Sequence, residues 1–148
     1  MRYLRSLVVV LLFSLLTLNT IHAQSAAPLN VVVTYSILGD VVQNIGGDTI
    51  SLTTLVGPDG DTHTYEPIPQ DSVTLSEAGI IFENGLEFEG WIDDLYSASG
   101  SQAERVVISD SITPGTIGLG DEAGETDPHI WQNPYNYVQV ISVVRDAL

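Results

Sequence analysis

Two short stretches of this chain carry the residue types for metal chemistry, and they are near copies of each other. Asp61-Thr62-His63-Thr64-Tyr65-Glu66-Pro67 and Asp127-Pro128-His129-Ile130-Trp131-Gln132-Asn133-Pro134 each place an acid two residues before a histidine. Each also has an aromatic residue two places after the histidine and a proline soon after that. A neutral imidazole ligates zinc, manganese and iron, so two of them would supply half of a four-coordinate site. A lone loop histidine reads better as a solvated side chain; two matching contexts weigh against that, and both readings stay open on spacing alone. Asp61, Glu66 and Asp127 are further ligands, acceptors that orient the rings, or plain turn and cap residues, with turn chemistry the heavier reading for Asp127-Pro128. Tyr65 and Trp131 read as wall rather than chemistry, and core packing explains them equally well.

The elements that must position these histidines alternate. Leu29–Tyr35 is apolar and rich in valine, as suits a strand buried on both faces. Ser36 is a candidate helix cap; Ile37, Leu38, Val41, Val42 and Ile45 follow at helical spacing, and Gly46-Gly47 stops the helix. Ile50–Val56 reads as a second strand, Gly57-Pro58-Asp59-Gly60 as a turn, and the first histidine stretch follows at once. Pro69 opens a helix with Val73, Leu75 and Ala78 on its apolar side. Ile80-Ile81-Phe82 is a third strand. Phe88, Trp91, Ile92 and Leu95 mark another helix closing near Gly100, and Val106-Val107-Ile108 a fourth strand. The acidic stretch from Asp110 to Thr126 has no period and reads as a loop. Asn133 caps a last helix with Pro134 at its first position and Val138, Ile141 and Val144 on one face. This pattern predicts an α/β fold: a four-stranded parallel sheet with helices on both faces. Both histidines then fall after a strand and before a helix, at the carboxyl edge where open α/β sheets bind ligands.

Composition narrows the partners. Residues 1–23 combine Arg2 and Arg5 with the apolar run Leu7–Leu18 and small residues before Gln24, the pattern of a secretory signal peptide too short to span a bilayer. That segment holds His22 and two of the four basic residues, so only Arg105 and Arg145 balance nineteen acids in the remainder. Such a surface repels nucleic acid and anionic lipid. The chain has no cysteine, so it offers no thiol for a lipid anchor, and any metal it binds uses nitrogen and oxygen ligands. The expectation is a periplasmic or secreted chain without a direct membrane anchor. No Gly-x-Gly-x-x-Gly, Walker lysine, His-Glu-x-x-His or Gly-x-Ser-x-Gly supports nucleotide binding or hydrolysis.

Leu55–Pro67 resembles the first ligand loop of the zinc- and manganese-binding solute-binding proteins of ABC importers (cluster A-I), and Asp127–Pro134 resembles their second. Tyr35–Asp40, Gly46-Gly47-Asp48 and Asn84–Trp91 match the same family's pattern, so the resemblance runs from about Asn30 to the end of the chain. It implies that His63 and His129 are metal ligands and that residues 24–148 are the N-terminal lobe of a two-lobed periplasmic binding protein. The cation would sit between lobes, with two more ligands from a second lobe outside this chain. The role implied is capture of Zn2+ or Mn2+ and delivery to an ABC permease in the inner membrane, with no chemistry done on it. Thr62 stands where many members have proline, and the loop before His129 lacks the histidine-rich tract of many zinc-specific members. The Gly-Pro-Asp-Gly-Asp wording and the Glu-Gly-Trp segment lean towards zinc. Two other readings compete: an extracellular metal-dependent hydrolase with Glu66 as base, and a surface adhesin of the same family.

Overall fold

The computed structural model describes residues 27–117 and 124–148. The signal-peptide reading of residues 1–23, with His22, lies outside the described residues. Four strands, β1 (Leu29–Tyr35), β2 (Ile50–Val56), β3 (Ile80–Glu83) and β4 (Glu104–Val107), form one sheet. Their order is β2-β1-β3-β4 and every pairing is parallel. Four helices, α1 (Ser36–Gly46), α2 (Pro69–Ser76), α3 (Ile92–Ser99) and α4 (Pro134–Ala147), cover both faces.

The pleat of β1 explains the two layers. Val31, Val33 and Tyr35 point to one face and pack with Leu38, Val41 and Val42 of α1 and Val140 and Val144 of α4. Val32 points to the other and packs with Leu75 of α2 and Ile92 and Leu95 of α3. Phe82 and Ile81 divide in the same way on β3. Burial on both faces is why β1 reads as a continuous apolar run rather than an alternating one. The expected α/β architecture is therefore present, with its first two strands at the expected residues.

Several local expectations give way. Ser36 does not cap α1: it is the first helical residue, and Tyr35 before it makes no side-chain cap bond. The helix expected from Phe88 starts only at Ile92; residues 86–91 form turns instead, and Gly85, Leu86 and Glu87 just before Phe88 have φ of 80°, 57° and 59°. Three successive left-handed residues reverse the chain's hand, so a right-handed helix cannot pass through them. Ile108 leaves the ladder and opens a 3-10 turn, Ile108–Ser111. On α2, Val73 faces outwards while Leu75 is buried. On α4 the buried face is Asn136, Val140 and Val144, whereas Val138 and Ile141 are exposed. That helix carries apolar residues on two sides, and contact with α1 selected the side of Val140 and Val144 instead of the expected side of Val138 and Ile141. The cap on α4 is as expected, with Asn133 Oδ1 accepting the Tyr135 N–H at 2.9 Å. No helix among the described residues is long and apolar enough to cross a membrane.

Candidate metal centre

In this strand order the connection from β1 runs out to β2, and the connection from β2 returns past β1 to β3. The carboxyl ends of the neighbours β1 and β3 therefore lie at a topological switch point, where a crevice opens in parallel sheets. Tyr35 ends β1 and Glu83 ends β3. His63, from the β2–α2 connection, and His129, from the β4–α4 connection, meet above this point with ring centroids 5.8 Å apart and planes tilted 60°. Phe88 supports both: its ring lies edge-on 4.6 Å from His63 and 5.8 Å from His129. Trp131 closes the back, 5.4 Å from His129, 5.1 Å from Phe88 and 4.9 Å from Tyr35. An open depression of about 500 Å3 borders His63, with Glu87, Glu125 and Pro128 among its walls.

Each histidine loop is built locally from the acid two residues upstream. Asp61 Oδ1 accepts the His63 N–H at 2.9 Å, and Asp127 Oδ1 accepts the His129 N–H at 3.0 Å. These side chains close turns on their own main chain, the chemistry for which aspartate is favoured in loops. Asp127 also reaches the ring, with Oδ1 2.8 Å from His129 Nδ1. The two bonds from His129, main chain first, hold the Asp127 carboxyl below the ordinary aspartate range. An ionised carboxylate only accepts, so Nδ1 carries the proton and a neutral His129 keeps a free lone pair on Nε2.

The first loop is pinned from below. The Trp91 indole N–H donates to the Thr62 carbonyl at 2.8 Å, and Tyr65 packs edge-on against Trp91 at 5.0 Å. Tyr65 donates its hydroxyl to Asp71 Oδ2 at 2.8 Å, and the same oxygen accepts the Ile68 N–H at 2.8 Å, starting α2. Burial, then the bond to Asp71, push the Tyr65 hydroxyl up to about 12. Trp131 is thus a wall of the histidine pair, whereas Tyr65 is an anchor for the loop and not part of that wall.

Of the three acids considered with the histidines, Asp127 is both turn residue and ring acceptor, Asp61 is a turn residue, and Glu66 is exposed. No group of three or more His, Asp or Glu that could hold a metal ion occurs among the described residues. Three residues that support the pair were not singled out by residue chemistry: Phe88, Asn84 and Glu89. They lie in the Asn84–Trp91 segment, whose signal was an acidic, glycine-containing stretch right after a buried strand. Glu89 is buried beneath the left-handed turn and accepts the Thr34 hydroxyl at 2.6 Å and the N–H groups of Asn84 at 2.8 Å and Gly85 at 3.2 Å. Burial outweighs these bonds and raises its carboxyl to about 7.

A family model described as zinc-uptake complex component A, periplasmic, matches residues 31–148. The chain is 32% identical over 126 residues to the iron-binding protein YfeA of Yersinia pestis, covering 85% of this chain and 40% of that protein. It is 35% identical over 130 residues to the manganese-binding lipoprotein MntA of Halalkalibacterium halodurans, covering 88% and 42%. Among solved structures, a Mn-bound periplasmic metal binding protein from Candidatus Liberibacter asiaticus superposes with a TM-score of 0.70 at 30% identity, over 80% of this chain and 44% of that one. Zn(II)-bound AdcA from Streptococcus pneumoniae shares the fold, with a TM-score of 0.68 at 22% identity over 80% of this chain and 25% of that one. The chain thus spans less than half the length of these relatives. Relatives such as MntA are named lipoproteins, whereas these 148 residues include no cysteine.

Proposed function

The chain belongs to the family of periplasmic zinc-uptake complex component A proteins, and on that premise we propose that it captures a divalent cation through His63 and His129 as part of a solute-binding component of a metal importer. The family's named relatives are binding proteins, not enzymes, so the cation is cargo and leaves unchanged. Delivery to a permease, from the periplasmic side of the inner membrane, belongs to the same proposal.

The observation that carries the reading is the pairing of the two imidazoles, 5.8 Å between centroids, over the switch point of a parallel sheet. Asp127 on Nδ1 of His129 orients that ring and makes Nε2 the ligating atom. Phe88 and Trp131 exclude water from one side of the pair, which strengthens the attraction between cation and donors. The remaining positions of a tetrahedral shell fall to water or to ligands from outside the described residues. Imidazole sites follow the general order of divalent affinities, in which manganese lies lowest, so the pair favours zinc over manganese. The hydrolase reading loses its base, because Glu66 does not group with the two histidines.

Calorimetric titration of the chain with Zn2+, and separately with Mn2+, tests this. One cation should bind per chain, zinc more tightly, and His63→Ala and His129→Ala should each abolish the heat of binding. Undiminished binding in both variants would exclude the assignment.

A further inference from the structure

Asn84 is 0% exposed at the end of β3, where an apolar residue would pack at no polar cost. Its hydrogen-bonding groups are used across four separate segments. Oδ1 accepts the Tyr35 hydroxyl at 3.1 Å at the end of β1. Nδ2 donates to the Pro128 carbonyl at 2.9 Å and to the Gly85 carbonyl at 3.0 Å. Its main-chain N–H donates to Glu89 Oε1 at 2.8 Å, and its carbonyl accepts the Ser109 N–H at 3.0 Å from the turn after β4. The amide side chain offers an acceptor to Tyr35 and a donor to Pro128 at once, from two separate atoms.

The bond to Pro128 differs in kind from the others. Other described hydrogen bonds of the 127–129 segment stay within its own loop or the start of the next turn: Asp127 N–H to Gly115, His129 N–H to Asp127, Ile130 N–H to Pro128, Gln132 N–H to His129. Pro128 has no N–H with which to tie itself to the sheet. Asn84 supplies the tie from the sheet side, at the carbonyl of the peptide that carries the His129 N–H. Fixing that carbonyl fixes the peptide plane, and with it the direction in which the His129 side chain leaves the main chain.

We propose that Asn84 is a positioning residue for the cation site: it locks the His129 loop to the carboxyl ends of β1 and β3, so that His129 stays in register with His63. The proposal rests on the metal reading above for its consequence, but its geometry can be read in the metal-free chain. Asp127 then sets the ring of His129 and Asn84 sets its backbone.

The test is Asn84→Ala in the 148-residue chain, beside Leu95→Ala, which cuts the core on the far face of the sheet. In the metal-free protein, NMR signals of the His129 ring and amide should shift or broaden in Asn84→Ala, and by more than those of His63, whose ring lies 5.8 Å away. The Zn2+ dissociation constant should rise about 10- to 100-fold, as for the loss of groups that orient ligands. Leu95→Ala should lower the melting temperature without moving the His129 signals and should change the constant less than about threefold, well short of that range. Unmoved His129 signals in Asn84→Ala, or the same changes in Leu95→Ala, would overturn the proposal. A dissociation constant that ignores His129→Ala would instead overturn the metal reading, leaving the metal-free signals to decide on Asn84. Should Asn84→Ala fail to fold, the unmutated chain decides: the Asn84 side-chain NH2 protons should be protected from exchange with solvent, and exchange at the rate of a free amide would refute the bond to Pro128.

Discussion

Asp127 and His129 are joined twice through one oxygen: Oδ1 of Asp127 accepts the His129 N–H at 3.0 Å and lies 2.8 Å from its Nδ1. Asp61 makes only the main-chain bond to His63, at 2.9 Å. The two loops are therefore alike in backbone and unlike in ring support. The His63 ring depends instead on Phe88, whose edge-on contact at 4.6 Å is the tightest aromatic contact at the pair.

This asymmetry predicts unequal losses. Asp127→Ala should weaken zinc binding about 10- to 100-fold, by freeing the ring and its tautomer. Asp61→Ala should weaken it less, since no ring bond is lost. Competition against a chelator measures both, and equal losses would contradict the difference in ring support.

A second prediction concerns pH. Glu89 is raised to about 7 in the folded chain by burial, against about 4.3 for an exposed glutamate. The folded state therefore holds this proton where the unfolded state has released it. The associated stability is fully present below about pH 4 and is lost as pH rises to about 7, a cost on the order of 3 kcal/mol. Glu89→Gln should flatten the urea-unfolding free energy across that window. A slope in Glu89→Gln equal to that of the parent chain would place the titration elsewhere.

Arg105 offers a third. Its Nη2 binds both oxygens of the buried Glu83 at 2.9 Å and Asp93 at 2.7 Å. Burial raises the Glu83 carboxyl even against the pull of Arg105. Arg105→Met would strand that carboxylate, a loss of about 3–5 kcal/mol for a fully buried pair; Arg105 is a quarter exposed, so about 2–3 kcal/mol is expected. The loss should deepen as pH rises, because a carboxyl raised further above its unfolded value favours the fold only while protonated. Adding Glu83→Gln should recover part of it. Denaturant melts of the single and double variants check both statements.

The helix caps give a fourth. Asn133→Ala should cost about 1 kcal/mol, since its Oδ1 satisfies the Tyr135 N–H at the start of α4. Ser36→Ala should cost close to nothing as a cap change, because Ser36 is the first helical residue of α1 and Tyr35 occupies the cap position. Thermal melts of the two variants should separate accordingly.

What was legible in the sequence was local. The valine run of β1, the Gly46-Gly47 stop, Pro69 and Pro134 at first helical positions and the Asn133 cap each act within a few residues, and the structure has them where residue chemistry puts them. The two Asp-x-His stretches are of the same kind, because the acid that shapes each turn is two residues from the histidine it serves. Strand order was not legible: nothing within β1 or β3 states that they are neighbours, and only the β2-β1-β3-β4 order brings His63 and His129 to one crevice. The face of α4 was decided in the same way, by α1 arriving against Val140 and Val144 rather than Val138 and Ile141. The left-handed run Gly85-Leu86-Glu87 goes against the local preference of two of its residues. It persists with the buried Glu89 beneath it, accepting the Asn84 and Gly85 N–H groups, and it places Phe88 under both imidazoles. Local signals choose elements because neighbouring residues compete over small energies; the site required contacts between segments far apart in the chain, and those exist only once the sheet has assembled.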